Sequence, residues 1–522
     1  MLNFFLRMIT KDVSKFSFLI NFIHFLKCCI NNYILMRKLS IYLFFIFSTI
    51  CINAQTYDGY TLYSPQNGSQ AFLLDMSGNI FHTWSFSASQ KTGYAIYLLP
   101  GGTLLRTVSK TGNSFTGGPI CGEVQEMDWN GNITWDFVYS TTQYCTHHDI
   151  CGMPNGNVLL IAYERKTAAE LTQAGCSQSI EMWPDKIVEI QPSGLNGGNI
   201  VWEWHAWDHL CQNYNSAKDN YVTSIVDHPE LMNINYLTCK DWMHMNGIDY
   251  NAVLDQITFS SHNLSEIYVI DHSTTTAQAA VHIGGNSGMG GDIIYRWGNP
   301  AAYNAPGTAD FNVVHDAHWV PDNCPKYANY LAGFNNKGGT GGKTCVDVFS
   351  PPYNGYNYAL TLGSAYLPAT YSFRSTYIGT TNQDNGNSQQ LPNGNMLLCM
   401  GMSGYIYEID SSQNVVWSKN VGSVIAQAFR YSYDYVTGFQ EIKDAPLKIN
   451  IYPNPTSGLI HVEKSIPADE ANDIFVYNSF GKLILHVENS KTVDLSSYDS
   501  GIYFLQVKSD KGVAAKKVNL IK

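Results

Sequence analysis

Charge is scarce in this chain of 522 residues: Asp, Glu, Lys and Arg together make up 14%, against about 25% in an average soluble protein. Cations are the scarcer sign, with 31 Lys and Arg facing 42 Asp and Glu for a net charge of −11. Nucleic-acid binding needs clustered cations to neutralise phosphates, so that class of partner is excluded. A disordered chain would be rich in charge and poor in aromatics, whereas aromatics here reach 13%. The Ala, Glu, Lys and Leu bias of a long helical or coiled-coil protein is missing. No CxxC pair has the spacing of a zinc site. What is abundant is 34 Tyr, 43 Gly and 11 Trp, which fits many short strands joined by tight turns. The length exceeds one ordinary core, so two to four domains are expected unless a repeat stretches one of them.

The N-terminus reads as a targeting segment. Arg37 and Lys38 precede an apolar run from Ile41 to Ile52, with a small-x-small cleavage site ending at Ala54. This is the pattern of a secretory signal peptide, and the run is short for a membrane span. Met36 stands directly before Arg37 and is the expected true start; a second membrane segment around 16–35 is the alternative. Without 1–54 the chain keeps 25 Lys and Arg against 41 acids, a net −16. It also keeps nine cysteines: Cys121, Cys145, Cys151, Cys176, Cys211, Cys239, Cys324, Cys345 and Cys399. Export favours some pairing, and an odd count leaves one free. Proximity suggests Cys324–Cys345 and Cys176–Cys211, with Cys399 as the free thiol in an apolar strand.

Two phrases recur through the middle of the chain. LPGGTLL at 99–105, MPNGNVLL at 153–160 and LPNGNMLL at 391–398 share one pattern. Asn followed by an apolar run to Trp recurs at Trp84, Trp135, Trp204 and Trp417, with a weaker copy at Trp297. Asn-Gly suggests a two-residue hairpin turn with both residues at φ > 0, and the apolar run after it a buried strand. The Trp-ended strand reads as half-exposed. Two hairpins per unit make a four-stranded blade, and blades around an axis make a propeller. Units begin near Tyr97, His148, His244, His318 and Gln390, and 57–84 supplies strands of a sixth, which residues 428–439 are placed to close. The expectation is an all-β chain, with a six-bladed β-propeller over 55–440. Insertions fall at 165–182, 205–240 and 351–385. Two unrelated β-sandwiches are the competing reading.

After a linker at 441–446, residues 447–522 hold no Cys or Trp and alternate in short strands, as a small β-sandwich would. YPNP at 452–455, VDLSSYDSGIYFLQV at 493–507 and Lys516-Lys517 resemble the C-terminal sorting domain of the type IX secretion system of Bacteroidetes. The resemblance implies the type IX machinery as a partner, passage through the periplasm and outer membrane, and a secreted or cell-surface destination. An ordinary accessory sandwich is the alternative.

Histidine carries the chemical signal. His147 and His148, His244, and His315 and His318 stand at or just before the starts of units, and His262 follows a strand one hairpin after His244. In a propeller such positions converge on one mouth of the axial channel. Imidazoles gathered there can bind metal, relay protons or act as nucleophiles; each alone can equally cap a turn or stack on an aromatic ring. The other signals are weaker. WEWHAWDHL at 202–210 suits either a rim for a phenolic ring or a packed blade edge. DNGN at 384–387 fits an Asn-Gly turn better than a calcium loop, GGNSGMGG at 284–291 lacks a phosphate-binding context, and the dispersed acids read as solvated surface.

DWMHMNGIDYNAVLDQITFSSHNLSEIYVID, VVHDAHWVPDN with LAGFNN, and SQQLPNGNMLLCMGMSGYIYEID resemble stretches of the arylsulfotransferase family. Family members are six-bladed propellers that move a sulfuryl group from a phenolic sulfate to a phenol without a nucleotide donor or other cofactor. In them a channel histidine is transiently sulfated. The resemblance implies a phenolic sulfate donor and a phenol acceptor as partners. It places His244 in the family's Trp-x-His-x-Asn motif, with Asn246 closing it, and His315 or His318 in the next motif. The chain departs from the family where His262 replaces an Arg after Ser-Ser and where 377–390 contains no His. Where the family has its second Arg, Lys337 and Lys343 follow FNN and Arg374 is the nearest Arg. The candidate catalytic residues are therefore His244 and His318, supported by His148, His262 and His315, with Asn246, Lys337 and Arg374 as substrate contacts and no metal. A non-catalytic surface-binding or adhesion propeller and a metal hydrolase using the His cluster are the competing functions.

Overall fold

In the computed structural model, the described residues are 55–375, 384–437, 449–464, 473–478, 483–509 and 512–522. The leader, with its signal peptide and the alternative membrane segment, lies outside them, as do the linker and residues 376–383. Among the described residues no helix is long and apolar enough to cross a membrane.

Six four-stranded antiparallel sheets follow one another along residues 60–431. Their innermost strands are Ile425–Tyr431, Thr92–Leu99, Tyr144–Gly152, Met245–Asn251, Val314–Trp319 and Asn387–Gln390, for blades one to six. Each of these strands neighbours the next around a closed ring. Blade one is composite: Ile425–Tyr431 pairs with Tyr60–Pro65, so the end of the propeller closes on its beginning.

The first repeated phrase is the turn between the two inner strands of a blade. In MPNGN the N–H of Gly156 donates to Met153 O, and Gly156 alone takes a positive φ (+86°). LPNGN repeats this, with Gly394 N–H on Leu391 O and φ +88°. The turn is thus a type I turn followed by a left-handed Gly bulge, not the two-residue turn expected from Asn-Gly, because Pro fixes the first corner at negative φ.

The second phrase ends on an inter-blade hook. The indole N–H of Trp84 donates to Asp128 O, Trp135 to Gly197 O, Trp204 to Gly291 O, Trp297 to Pro368 O and Trp417 to Met76 O. Each outer-strand Trp therefore holds a main-chain carbonyl of the following blade, and Trp417 reaches back to blade one. The first four indoles are buried, while the strands Ile80–Ser85, Ile133–Val138, Gly197–His205 and Val415–Asn420 are half-exposed as expected, and only Ile293–Trp297 is buried throughout. Blade five lacks the hook, because its outer strand is only Phe373–Arg374.

Apolar clusters fill the spaces between blades. Ile161, Trp202 and Met243 pack with Ile257 and Phe259 between blades three and four, and Ile267, Trp297 and Val314 with Phe349 between four and five. The expected disulfides are not formed, and all nine described cysteines are free thiols. Cys176 packs in the cluster between blades three and four, while Cys211 belongs to the next one. Cys324 sits against Gln390 O, and Cys345 lies within the strand Lys343–Phe349.

The C-terminal module is two sheets around one core. Ile449–Tyr452, Leu459–Lys464 and Thr492–Asp494 form one, and Leu483–Val487, Asp473–Asn478, Gly501–Ser509 and Gly512–Leu520 form the other. Ile460, Val476, Leu505 and Val518 fill the space between them.

Candidate active site

The inner strands of blades three, four and five each break register where they carry histidine. The pairing shifts between Thr146 and Ile150, between Met245 and Gly247, and between His315 and His318. His148, His244 and Asp316 adopt the left-handed conformation (φ +49°, +51° and +58°), which costs a non-glycine residue about 1–2 kcal/mol. Bulges of this kind re-aim side chains beside functional sites. Gly247 lets the strands meet: a Cβ there would stand 2.7 Å from Asp316 N.

The result is a row of four imidazoles. Ring centroids lie 4.5 Å apart for His148 and His244, 4.8 Å for His244 and His262, and 5.5 Å for His262 and His315. Each ring is anchored through Nδ1. His244 Nδ1 is 2.6 Å from Asp241 Oδ2, which also accepts from the Tyr163 hydroxyl. His262 Nδ1 meets Asn263 Oδ1 at 2.7 Å, and His315 Nδ1 meets Asn336 Oδ1 at 2.8 Å. His147 holds Asp185 through Nε2 and His148 through Nδ1, both at 2.8 Å. With Nδ1 committed as donor, Nε2 carries the lone pair in each ring of the row that is neutral.

Electrostatics keeps most of the row neutral. Burial, then the neighbouring imidazoles, pushes His148 well below the ordinary value. Burial followed by His262 lowers His315 to about 3, and burial followed by His244 lowers His262. A neutral imidazole is the form that attacks an electrophile or takes up a proton. Asp241 lies below its usual range: burial would raise it, but the hydrogen bond and charge of His244 outweigh this.

The other expected residues are placed differently. His318 does not join the row. The bulge at Asp316 carries it to a cavity of about 500 Å³ lined by Tyr97, Asp149, Asp249, Asp316, Trp319 and Tyr431. There Nε2 meets Gln390 Oε1 at 2.7 Å, and Asp316 is the main influence that lifts its pKa to about 9 against the opposing effect of burial. Asn246 is structural, bridging Ser260 Oγ and Val314 O. Arg374 is consumed by Asp347 in a two-pronged pair and by the carbonyls of Gly338 and Asp310. Lys337 pairs with Asp384 at 3.2 Å and lowers the pKa of both His262 and His315. Trp202 and Trp204 lie buried on the outer strand of blade three, so WEWHAWDHL is a blade edge rather than a channel rim.

Sequence reasoning missed the acids on the axis. Asp149, Asp249 and Asp316 are buried or nearly so, not solvated surface. Asp149 Oδ2 accepts from Ile248 N, Asp249 Oδ2 from Trp319 N and Asp316 Oδ2 from Ser388 N, each tying one inner strand to the next. Asn387 on Ala428 N, Gln427 on Ile96 N and Tyr97 on Asp149 complete a side-chain belt. Burial lifts Asp149 to about 7. For Asp149 and Asp316 the available signal was an acid directly after His148 and His315; Asp249 follows Ile248 and carried no such signal.

A family model described as arylsulfotransferase (ASST) matches residues 44–344, more than half of the chain. The chain belongs to the arylsulfotransferase family. The secretion system C-terminal sorting domain matches residues 450–521, which marks this family member for export to the cell surface or medium. No curated protein matches it. Solved structures with a similar course include a protein of unknown function from Bacteroides caccae, 10% identical over 72% of this chain and 99% of that one, with a TM-score of 0.40. The periplasmic gluconolactonase of Pseudomonas aeruginosa is 10% identical over 89% and 100%, at 0.35. Virginiamycin B lyase from Staphylococcus aureus is 11% identical over 84% and 97%, at 0.28. At these scores they add no argument about the site.

Proposed function

We propose that this arylsulfotransferase-family chain transfers a sulfuryl group from a phenolic sulfate to a phenol, with His244 as the nucleophile. The observation that carries the reading is the Asp241–His244 dyad at 2.6 Å, set in a row of imidazoles. Asp241 holds the proton on Nδ1 and leaves the Nε2 lone pair free, as the third member of a catalytic triad does for its histidine. Nε2 attacks sulfur, the bond from sulfur to the aryl oxygen breaks, and the phenolate departs with the electron pair. The sulfated ring is cationic, and the Asp241 carboxylate stabilises it. An acceptor phenol then attacks sulfur, the N–S bond returns its pair to Nε2, and a neighbouring neutral imidazole takes the phenol proton. Imidazoles that gain protons beside the anionic ester, together with Lys337, offset the charge on the sulfuryl oxygens.

The opposite cavity suits this chemistry poorly, because its carboxylates repel a sulfate ester. His318 is accordingly no part of the proposed machinery. The test is release of 4-nitrophenolate from 4-nitrophenyl sulfate in the presence of a phenol acceptor. Wild type should turn over and acquire an acid-labile sulfuryl adduct when acceptor is withheld, and His244→Ala should do neither. No release from well-folded wild type would leave a non-catalytic binding propeller. An adduct that persists in His244→Ala would move the nucleophile elsewhere in the row.

A further inference from the structure

A second group of imidazoles lies outside the channel, where the end of blade three meets the loop before the last strand of blade four. The Nδ1 atoms of His209 and His282 stand 2.8 and 2.7 Å from the same oxygen, Asp292 Oδ1. Ligand atoms of all three residues fall within 4.8 Å of one another. His209 and Asp292 are buried, whereas the His282 side chain is 60% exposed.

The hydrogen bonding of His209 decides what the group can hold. Its Nε2 lies 2.8 Å from Ala279 O, which can only accept, so Nε2 carries the proton. In the neutral ring Nδ1 is then a lone pair aimed at a carboxylate oxygen. Two lone pairs do not attract. A cation between Nδ1 and Oδ1 resolves the conflict. Donation from the far ring nitrogen to a backbone carbonyl is also how metal-bound histidines are commonly oriented. The surroundings are built closely around the ring. Trp204 lies parallel to it with centroids 5.7 Å apart, and a Cβ on Gly291 would stand 2.7 Å from its Nε2.

We infer that His209, His282 and Asp292 form a binding site for a zinc-class divalent cation, which staples blade three to the loop of blade four. Two imidazole nitrogens and one carboxylate oxygen suit zinc, with water as the fourth ligand on the exposed side of His282. Bonds of about 2.0–2.1 Å set ligands roughly 3.3 Å apart around a tetrahedral ion, so the exposed His282 must move outward and the buried His209–Asp292 contact of 2.8 Å must open by about half an ångström. The site shares no residue with the channel row, so it stands or falls apart from the sulfuryl-transfer proposal.

The experiment uses the whole exported protein, stripped with chelator and titrated with zinc against a chromophoric competitor. Wild type should bind one equivalent that His282→Ala loses or binds at least tenfold more weakly, while His244→Ala retains it. Zinc should raise the wild-type Tm and leave that of His282→Ala unmoved, with the two metal-free proteins melting alike. Equal zinc affinity and stoichiometry in wild type and His282→Ala would overturn the assignment, as would no uptake by wild type. Because His282 is exposed, its removal spares the core, and His209→Gln serves as a second variant with the same expected loss.

Discussion

Replacing His272 by Gln tests how the seam between blades three and four is held. His272 Nδ1 lies 2.7 Å from Asp255 Oδ1 and its Nε2 lies 3.0 Å from Glu189 Oε2, so one ring bridges carboxylates of both blades. Burial alone would lower its pKa, but the hydrogen bonds to Asp255 and Glu189 more than reverse this and lift it to about 9. A rise from 6.5 to about 9 is worth about 3 kcal/mol at roughly 1.4 kcal/mol per tenfold change in proton affinity. The sign follows from the raised value. The stabilisation is fully present below pH 6.5, declines as pH climbs through about 9, and is gone above it. Urea unfolding would be followed by tryptophan fluorescence, to which Trp202, its ring centroid 4.8 Å from the imidazole, contributes beside the other Trp residues. The stability difference between wild type and His272→Gln should shrink by about 3 kcal/mol between pH 6.5 and 10. His318, also raised to about 9, titrates in both proteins and cancels from the difference. A difference that stays constant across that range would refute the bridging imidazolium.

Asp241→Asn should keep the fold but lower aryl sulfate turnover by about 10²–10⁴-fold, the range for a histidine that has lost its orienting carboxylate, measured as kcat with KM recorded separately. Arg374→Met should cost about 3–5 kcal/mol in urea unfolding, because Asp347 is left buried without its partner; Asp347→Asn added to it should recover part of the loss. Trp84→Phe removes the hydrogen bond to Asp128 O while keeping the ring, for an expected loss of about 1 kcal/mol in unfolding free energy. Deleting 447–522 should trap the protein in the periplasm, read by fractionation; unchanged surface display would argue against the role of the sorting module.

The repeat was legible because the backbone demands it. A left-handed corner requires Gly156 and Gly394, and an indole that must reach a neighbouring carbonyl recurs as Trp. The closing strand, expected within 428–439, falls at Ile425–Tyr431 and is followed by a short helix at Tyr433–Thr437. The site was legible only in part. His148, His244, His262 and His315 open or flank inner strands, and the structure sets them side by side. His318 follows the same rule in sequence, but the register shift at Asp316 sends it to the acidic cavity. Bulge positions depend on how neighbouring inner strands crowd the axis, and a single sequence does not display that crowding. The fate of Arg374 was hidden for a similar reason, since Asp347 and the carbonyls that capture it come together only when blade five folds.

Pairing of Ile425–Tyr431 with Tyr60–Pro65 makes the ring a belt buckled by its own two ends. A chain cut short before residue 425 would leave that buckle undone and a raw edge on the first blade, however sound the rest. A cut in the linker would remove none of the strand pairings that make up the six blades. The trailing module is therefore an address label outside that belt, and the parcel it directs is sealed just upstream of it.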